Sequence, residues 1–337
     1  MILALMLTAT TAWAESLGVD YIDANGVLQN TATDGIDGND SPTVLTNETD
    51  VSNIAGGWYV VTGDVSYSSA VICGSGDVHL ILADGAKLTA NGFILGDGNL
   101  TIYAQSTGDG MGELCSTNVV SSNNISICGG KITVSGQYAD IHAENTVTIH
   151  SGRVTASADE DGFYGIYVEK NVILGLRNAT DFINASGFGR SSGSISIAAG
   201  QALTDGTTTY SGTLYDRETP ANGRFATLDE LNAALGGKTL TPTWEGSGTS
   251  ASDPYLIKST TQLNLLAQRV NAGGNNYGNN YENTYFQLGD DITYTYTTAW
   301  NDATSTENNY TAIGCYDHSF GGHFDGNGKN HQRHPHL

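Results

Sequence analysis

The chain has 337 residues, of which 35 are aspartate or glutamate and 13 are lysine or arginine, so its net charge is −22. An acidic surface of this kind repels nucleic acid and anionic lipid, which argues against both as partners. Only 14% of the residues are charged, and 43 glycines accompany many β-branched residues and tyrosines. This composition favours an all-β fold of short strands and tight turns over disorder.

The chain begins with an apolar run that ends in the small-x-small sequence Ala12-Trp13-Ala14. This pattern is typical of a signal-peptidase site, so residues 1–14 are predicted to be a signal peptide. A buried N-terminal strand is the alternative. The run is too short to span a bilayer as a helix, and no other segment is long and apolar enough. We therefore expect an exported protein without a membrane span, extracellular or on the cell surface.

Six short segments share a pattern of one aliphatic residue, one intervening residue that is usually polar, and a second aliphatic residue. The first aliphatic column is Val78, Leu100, Ile125, Val147, Val172 and Ile195, and the second is Leu80, Ile102, Ile127, Ile149, Leu174 and Ile197. Successive segments lie 22 to 25 residues apart. Such spacing predicts a parallel β-helix of about six coils over residues 67–215. Residues 15–66 are then expected to form an N-terminal cap or an irregular coil.

A further column, formed by Ile94, Val119, Ile141 and Ile166, repeats with nearly the same spacing. Glycine-bearing turns such as CGGKITV and HSGRVTA lead into additional short strands, so each coil is predicted to contain two or three strands. A β-sandwich would not keep one register over six units, and the Leu and Asn positions of a leucine-rich repeat are absent.

Two helices are predicted after the solenoid. Residues 216–243 form a linker with a short helix, because Thr227 and Glu230 make a capping box before an apolar run that ends in glycine. Ser259 and Gln262 predict a second capping box and a second helix.

Residues 244–328 contain a series of short motifs in a definite order: GSGT and DPY, a helix, YFQL and DI, IG, and finally FDGNG. In this order they resemble the opening unit of the GLUG-repeat modules of secreted bacterial surface proteins. The matching positions are Gly246 to Thr249, Asp253 to Tyr255, Ile257, Tyr285 to Leu288, Asp291 and Ile292, Ile313 and Gly314, Phe320, Gly322, and Phe324 to Gly328. The resemblance implies a small α+β segment that begins a second repeat module.

The C-terminal sequence KNHQRHPHL departs from that family, in which FDGNG is followed by a strand of the type Lys-Thr-Ile-Ser-Gly. Removing one A from codons that encode Lys-Asn restores Lys-Thr-Ile-Ser-Gly-Ile-Arg-Ile. We therefore interpret residues 329–337 as an out-of-frame tail and expect the parent protein to continue. The alternative is a histidine-rich metal site.

Residues 70–215 also resemble the carbohydrate-binding β-helix proteins related to pectate lyases, through their coil periodicity. That resemblance implies a surface groove for polysaccharide, often with calcium. Phe163, Tyr164 and Tyr167 cluster beside an acidic turn and have the flat faces that stack on sugar rings. Trp58 and Tyr59 form a second aromatic pair. The alternative for both groups is that they are partly buried residues that fill corners of the fold.

The acidic turn itself is a candidate calcium site. Asp159 and Asp161 lie in the turn between two coils, and Asp140 lies at the equivalent place in the preceding coil. Carboxylate oxygens are the ligands that calcium prefers. The alternative is a solvated turn in an acidic protein.

Three functions follow from these features. The first is a secreted or cell-surface protein that binds polysaccharide or surface glycan, adhesin-like and without enzymatic activity. The second is a calcium-dependent polysaccharide lyase, in which Lys131 or Arg153, 22 residues apart, abstracts a proton. The third is a rigid stalk that presents later modules.

Overall fold

The structure is a computed structural model that describes residues 18–34, 41–121, 123–136, 141–158, 160, 163–190, 192–272, 281–294, 311–314 and 318–333, with backbone alone at 331–333. The predicted signal peptide lies outside these residues. The chain enters the described structure through an antiparallel hairpin, β1 (Asp20–Ile22) and β2 (Leu28–Asn30), and a short strand, β3 (Thr43–Val44).

Residues 57–190 form six coils of a parallel β-solenoid, each with three strands. The first three coils are β4 (Gly57–Val61), β5 (Asp64–Tyr67) and β6 (Val71–Cys73); β7 (Val78–Leu82), β8 (Lys87–Ala90) and β9 (Phe93–Leu95); and β10 (Leu100–Ala104), β11 (Glu113–Ser116) and β12 (Val119–Ser121). The next three are β13 (Asn124–Ile127), β14 (Lys131–Gly136) and β15 (Ile141–Ala143); β16 (Thr146–Ile149), β17 (Arg153–Ala158) and β18 (Ile166–Val168); and β19 (Asn171–Leu174), β20 (Phe182–Ala185) and β21 (Phe188–Arg190).

The remaining elements lie beyond the sixth coil. They are β22 (Ser194–Ile197), β23 (Ala202–Thr204), β24 (Thr209–Tyr210), β25 (Thr213–Asp216), α1 (Leu228–Leu235), β26 (Thr239–Thr243), β27 (Tyr255–Ile257), α2 (Thr260–Asn271), β28 (Tyr285–Leu288), β29 (Ile292–Tyr294), β30 (His323–Asp325) and β31 (His331–Arg333).

The strands of successive coils stack into three parallel sheets. We call them the first, second and third sheets. The first sheet contains β4, β7, β10, β13, β16, β19 and β22, the second contains β5, β8, β11, β14, β17 and β20, and the third contains β6, β9, β12, β15, β18 and β21. In the first sheet Leu100 pairs with Val78 and with Ile125, as the repeat predicts. Both predicted columns of this sheet are buried throughout. The predicted all-β solenoid of about six coils is therefore confirmed.

The predicted third-sheet column is wrong at one position. Val119 pairs with Phe93 and not with Ile94, which points outward. The turn from Leu95 to Leu100 is one residue longer than the turn from Ser121 to Ile125. Counting back the same number of residues from Leu100 and from Ile125 therefore selects Ile94 in place of Phe93. A shift of one residue in a strand moves a side chain to the other face of the sheet.

A polar column runs beside the apolar columns at the corner that precedes the first sheet. The Asn99 backbone N–H donates to Asp77 Oδ1 at 2.8 Å, and Asn124 Nδ2 donates to Asn99 Oδ1 at 2.7 Å. These bonds join one coil to the next along the corner and satisfy polar groups that would otherwise face the stack.

The C-terminal end of the solenoid is closed by antiparallel strands and by α1. Strand β25 pairs with β22, and β26 pairs with β20. Asn232 of α1 completes the closure at β21, because its side chain accepts a hydrogen bond from Phe188 N (2.8 Å) and donates one to Phe188 O (2.9 Å). A covered sheet edge cannot pair with another chain. The predicted capping box of Thr227 and Glu230 is present.

The C-terminal segment forms a smaller unit around α2. Strands β27, β28 and β30 make a parallel sheet, and β29 pairs in parallel with β31. At the start of α2, Ser259 accepts from Gln262 N as predicted, but Gln262 Oε1 accepts from Lys258 N and not from Ser259. The Gln262 side chain therefore bonds to the backbone N–H of Lys258, the residue before the N-cap Ser259.

We expect Ile149→Ala to destabilise the protein by about 2–5 kcal/mol, because it removes a fully buried side chain between two coils. Thr148→Ala, one residue away on the outward face, should change the free energy of unfolding by about 0.5 kcal/mol or less. Urea denaturation of both variants measures this difference. Equal midpoints for the two would contradict the assigned inward and outward faces.

Candidate functional site

The third sheet presents a narrow outward face. Each of its strands has three residues, and only the middle one points outward. These residues pair in register from coil to coil and form what we call the outward ladder: Ile72, Ile94, Val120, His142, Tyr167 and Gly189. The ladder contains no carboxylate, lysine or arginine and extends over about 24 Å.

The predicted aromatic residues lie at the sixth-coil end of the outward ladder. Tyr167 belongs to the ladder, and its ring meets that of His142 edge-on, with the ring centroids 5.1 Å apart. The ring of Tyr164 lies against Gly187 and Gly189, where any larger residue would collide with it at position 189. Tyr164 and Tyr167 are therefore brought together, because Gly189 is the register partner of Tyr167.

Phe163 precedes Tyr164 and is 45% exposed, an unusual exposure for a large apolar side chain. His142 was not among the predicted site residues, although it precedes Tyr167 by one coil and pairs with it. That spacing was the available signal. The resulting surface has an aliphatic end and an aromatic end.

The predicted calcium ligands Asp140, Asp159 and Asp161 lie outside the described residues. Within the described part of the chain, no group of three or more histidine, cysteine, aspartate or glutamate side chains is arranged to hold a metal ion. The calcium site stays a prediction.

Lys131 and Arg153 pair in register on the second sheet, as their spacing predicts. Each also forms an ion pair: Lys131 Nζ lies 3.4 Å from Glu113 Oε1, and Arg153 Nη1 lies 2.7 Å from Asp109 Oδ1. Contacts of this kind position the two cations on the surface of the coil stack.

The second aromatic pair, Trp58 and Tyr59, is buried. Trp58 is stacked on His79 with the ring centroids 4.3 Å apart, and Tyr21 of the N-terminal hairpin contacts it at 5.1 Å. The hairpin therefore covers this part of the first sheet, and neither residue offers a face to a sugar.

The hairpin also lies beside a row of buried titratable groups. Burial raises the pKa of the Cys128 thiol to about 12. The pKa of His150 is lowered to about 4, chiefly by burial and also by the charge of Arg177, while Asp23 opposes the shift. His150 is thus neutral over the physiological range.

Strand β31 of the C-terminal tail pairs in parallel with β29, but its first and last residues are polar where those of β29 are apolar. His331 and Arg333 pair with Ile292 and Tyr294, both of which are buried. Polar residues thus take the register positions of an apolar column. The interpretation of residues 329–337 as an out-of-frame tail stays a prediction.

Comparisons of the chain with models of protein families, with curated proteins and with solved structures found no match. The GLUG and carbohydrate-binding resemblances therefore remain predictions. No helix in the described ranges is long and apolar enough to cross a membrane.

We expect the free energy of unfolding to fall by roughly 2 kcal/mol through His150 as the pH drops from 6.5 to 4. In this window the unfolded chain binds the proton that the buried, neutral His150 excludes, so acid favours unfolding. Urea denaturation between pH 4 and 7 should show a shallower dependence on pH for His150→Gln than for the unchanged protein. His323→Gln, at an exposed position, serves as the control. Identical slopes for His150→Gln and the unchanged protein would contradict the assignment.

Proposed function

We propose that the protein is a secreted or cell-surface glycan-binding protein, adhesin-like and without enzymatic activity, which binds polysaccharide along the outward ladder. The observation that carries this proposal is the uncharged ladder, with Tyr164 and Phe163 beside its sixth-coil end. Of its members, Ile72 is exposed and the next four are half-buried, and contiguous accessible apolar surface of this kind marks binding sites on proteins.

The aromatic end supplies the specific contacts. A sugar ring has one apolar face of C–H groups, which packs against an aromatic ring much as another apolar group does. The ring of Tyr164 rests on glycine backbone and Tyr167 is fixed against His142, so both are held in place before a ligand arrives. A preorganised surface loses little conformational entropy on binding.

The charge of the protein favours a neutral glycan. The ladder offers no cation to a uronate or a sulfate, and the net charge of −22 repels polyanions at longer range. Calcium bound by Asp140, Asp159 and Asp161 would add a local positive charge beside the aromatic end, since these residues flank Phe163 in sequence or lie one coil earlier.

The C-terminal unit supports the stalk as a second candidate. Strand β30 is exposed along its length and lies at the edge of the parallel sheet β27-β28-β30. An open parallel edge is where a further coil would stack. A stalk would present later modules and would bind no glycan itself.

The test is depletion of the purified protein from solution by insoluble cellulose, xylan, mannan and chitin, each with calcium and with a chelator. We expect retention on at least one of them. Phe163→Ala and Tyr167→Ala should each weaken binding by roughly tenfold, the equivalent of about 1.4 kcal/mol. Phe324→Ala is the matched control, since Phe324 is 41% exposed and lies in the C-terminal unit.

Retention that disappears in chelator would support the three aspartates as calcium ligands. Incubation with soluble polygalacturonate and calcium tests the lyase alternative, and release of unsaturated uronate, seen as ultraviolet absorbance, would replace the proposal by it. Absence of retention on every polysaccharide would leave the stalk as the function. Equal retention of Tyr167→Ala and the unchanged protein would contradict the outward ladder as the binding face.

A further inference from the structure

A cavity of about 170 Å³ lies where the N-terminal hairpin, the solenoid and α2 meet. It is separate from the outward ladder, which lies on the third sheet. The hairpin contributes Asn25, the solenoid contributes Ser151, Arg177 and Asn178, and α2 contributes Thr261 and Gln268. The volume is that of roughly ten water molecules, enough for one small organic molecule.

Arg177 is the charged group of this cavity. Its guanidinium donates one hydrogen bond, from Nη1 to the backbone oxygen of Asp23 at 3.3 Å, and forms no ion pair with any described residue. Arg177 is half-buried, and a guanidinium has five N–H donors. The remaining donors are available to a ligand in the cavity.

The loop that carries Arg177 is held in place by Asp181. Oδ2 of this buried carboxylate accepts from Ser151 Oγ at 2.7 Å, from Asn178 N at 2.9 Å and from Arg177 N at 3.1 Å. Oδ2 is thus held by neutral donors, whereas the buried Oδ1 has no hydrogen-bond partner among the described residues, and the carboxylate lies beyond ion-pair distance of the guanidinium.

The hairpin approaches Arg177 at a glycine. Gly26 has a φ of 79°, which favours glycine, and a side chain there would meet Arg177 Cδ at 3.2 Å. Glycine at this turn therefore lets the hairpin pack closely against Arg177, and Gly26 itself lines the cavity.

The polar face of α2 supplies groups for hydroxyl recognition. Thr261 and Gln268 lie two helical turns apart on one face, toward the cavity. Gln268 is oriented by two bonds, since its Oε1 accepts from Ala179 N at 2.9 Å and its Nε2 donates to Asn178 Oδ1 at 3.2 Å. Amides and hydroxyls both donate and accept hydrogen bonds, as sugar-like hydroxyls require.

We propose that this cavity binds a small polyhydroxy carboxylate, whose carboxylate pairs with Arg177 and whose hydroxyls bond to the surrounding amides and hydroxyls. The planar guanidinium fork matches a carboxylate with two parallel hydrogen bonds. Asp23 and Asp181 are the nearest carboxylates and weaken the attraction of Arg177 for any anion, so binding depends on the hydroxyl contacts as well as on the guanidinium.

The test compares sodium gluconate with sorbitol, which differs from it essentially in lacking the carboxylate, by calorimetric titration of the full chain. We expect gluconate to bind with a Kd of about 1 mM or lower, and sorbitol at least about tenfold more weakly. Sodium acetate, a carboxylate without hydroxyls, should also bind about tenfold more weakly. Equal binding of gluconate and sorbitol, equal binding of gluconate and acetate, or no binding of gluconate at any accessible concentration would overturn the proposal.

Two variants locate the site. Arg177→Gln should reduce gluconate affinity at least about tenfold. Arg190→Gln, which alters another buried arginine with a single guanidinium hydrogen bond, should leave it unchanged. If Arg177→Gln does not fold, Thr261→Trp, which fills the cavity from the first turn of α2, should abolish binding. Binding of gluconate that survives either cavity variant would overturn the proposal.

A second readout is the pKa of His150, followed by the NMR shifts of its ring. His150 faces Arg177, Asp23 and Cys128, and the charge of Arg177 contributes to its low pKa. A bound carboxylate offsets that charge, so gluconate should raise the pKa of His150 and sorbitol should not. An unchanged His150 pKa with gluconate bound would place the ligand elsewhere.

Discussion

The structure depends on the contact between side chains at equivalent inward positions of successive coils. Parallel strands pair at a spacing of about 4.8 Å, and at that distance one buried aliphatic side chain lies directly on the next. A slip of one residue would expose every member of a column to solvent, so burial fixes the register of all three sheets together. Once the inward positions are fixed, the outward positions are fixed as well.

This constraint explains why surface chemistry occurs in ladders. The outward residues of the third sheet form one continuous row because their inward neighbours stack, and Tyr167 reaches His142 for the same reason. The first sheet differs, because the N-terminal hairpin covers its outward face. There Cys128 and His150 follow the paired residues Ile127 and Ile149, and Arg177 lies in the turn after β19. Burial is the chief cause of the pKa shift of all three.

Much of the solenoid could be predicted from the sequence, because a repeated local pattern is visible in any single chain. The aliphatic columns of the first sheet and the starts of both helices were predicted in this way. The Ile94 position failed because one turn holds an extra residue, which a fixed spacing does not detect. The hairpin cover could not be predicted, since the Asp23 to Arg177 contact joins residues 154 positions apart that belong to no shared repeat. The cavity forms beside that contact, so it could not be predicted from the sequence either.

The proposed glycan-binding role of the outward ladder can be tested by the NMR shifts of its aromatic rings. The purified protein would be titrated with a soluble hexasaccharide of the polysaccharide that retains it, cellohexaose or xylohexaose for example. The account predicts that the ring signals of His142 and Tyr167 shift together and saturate, while those of Trp58 and Tyr103, which are buried under the hairpin, stay in place. Shifts at Trp58 or Tyr103 with none at His142 and Tyr167 would contradict it.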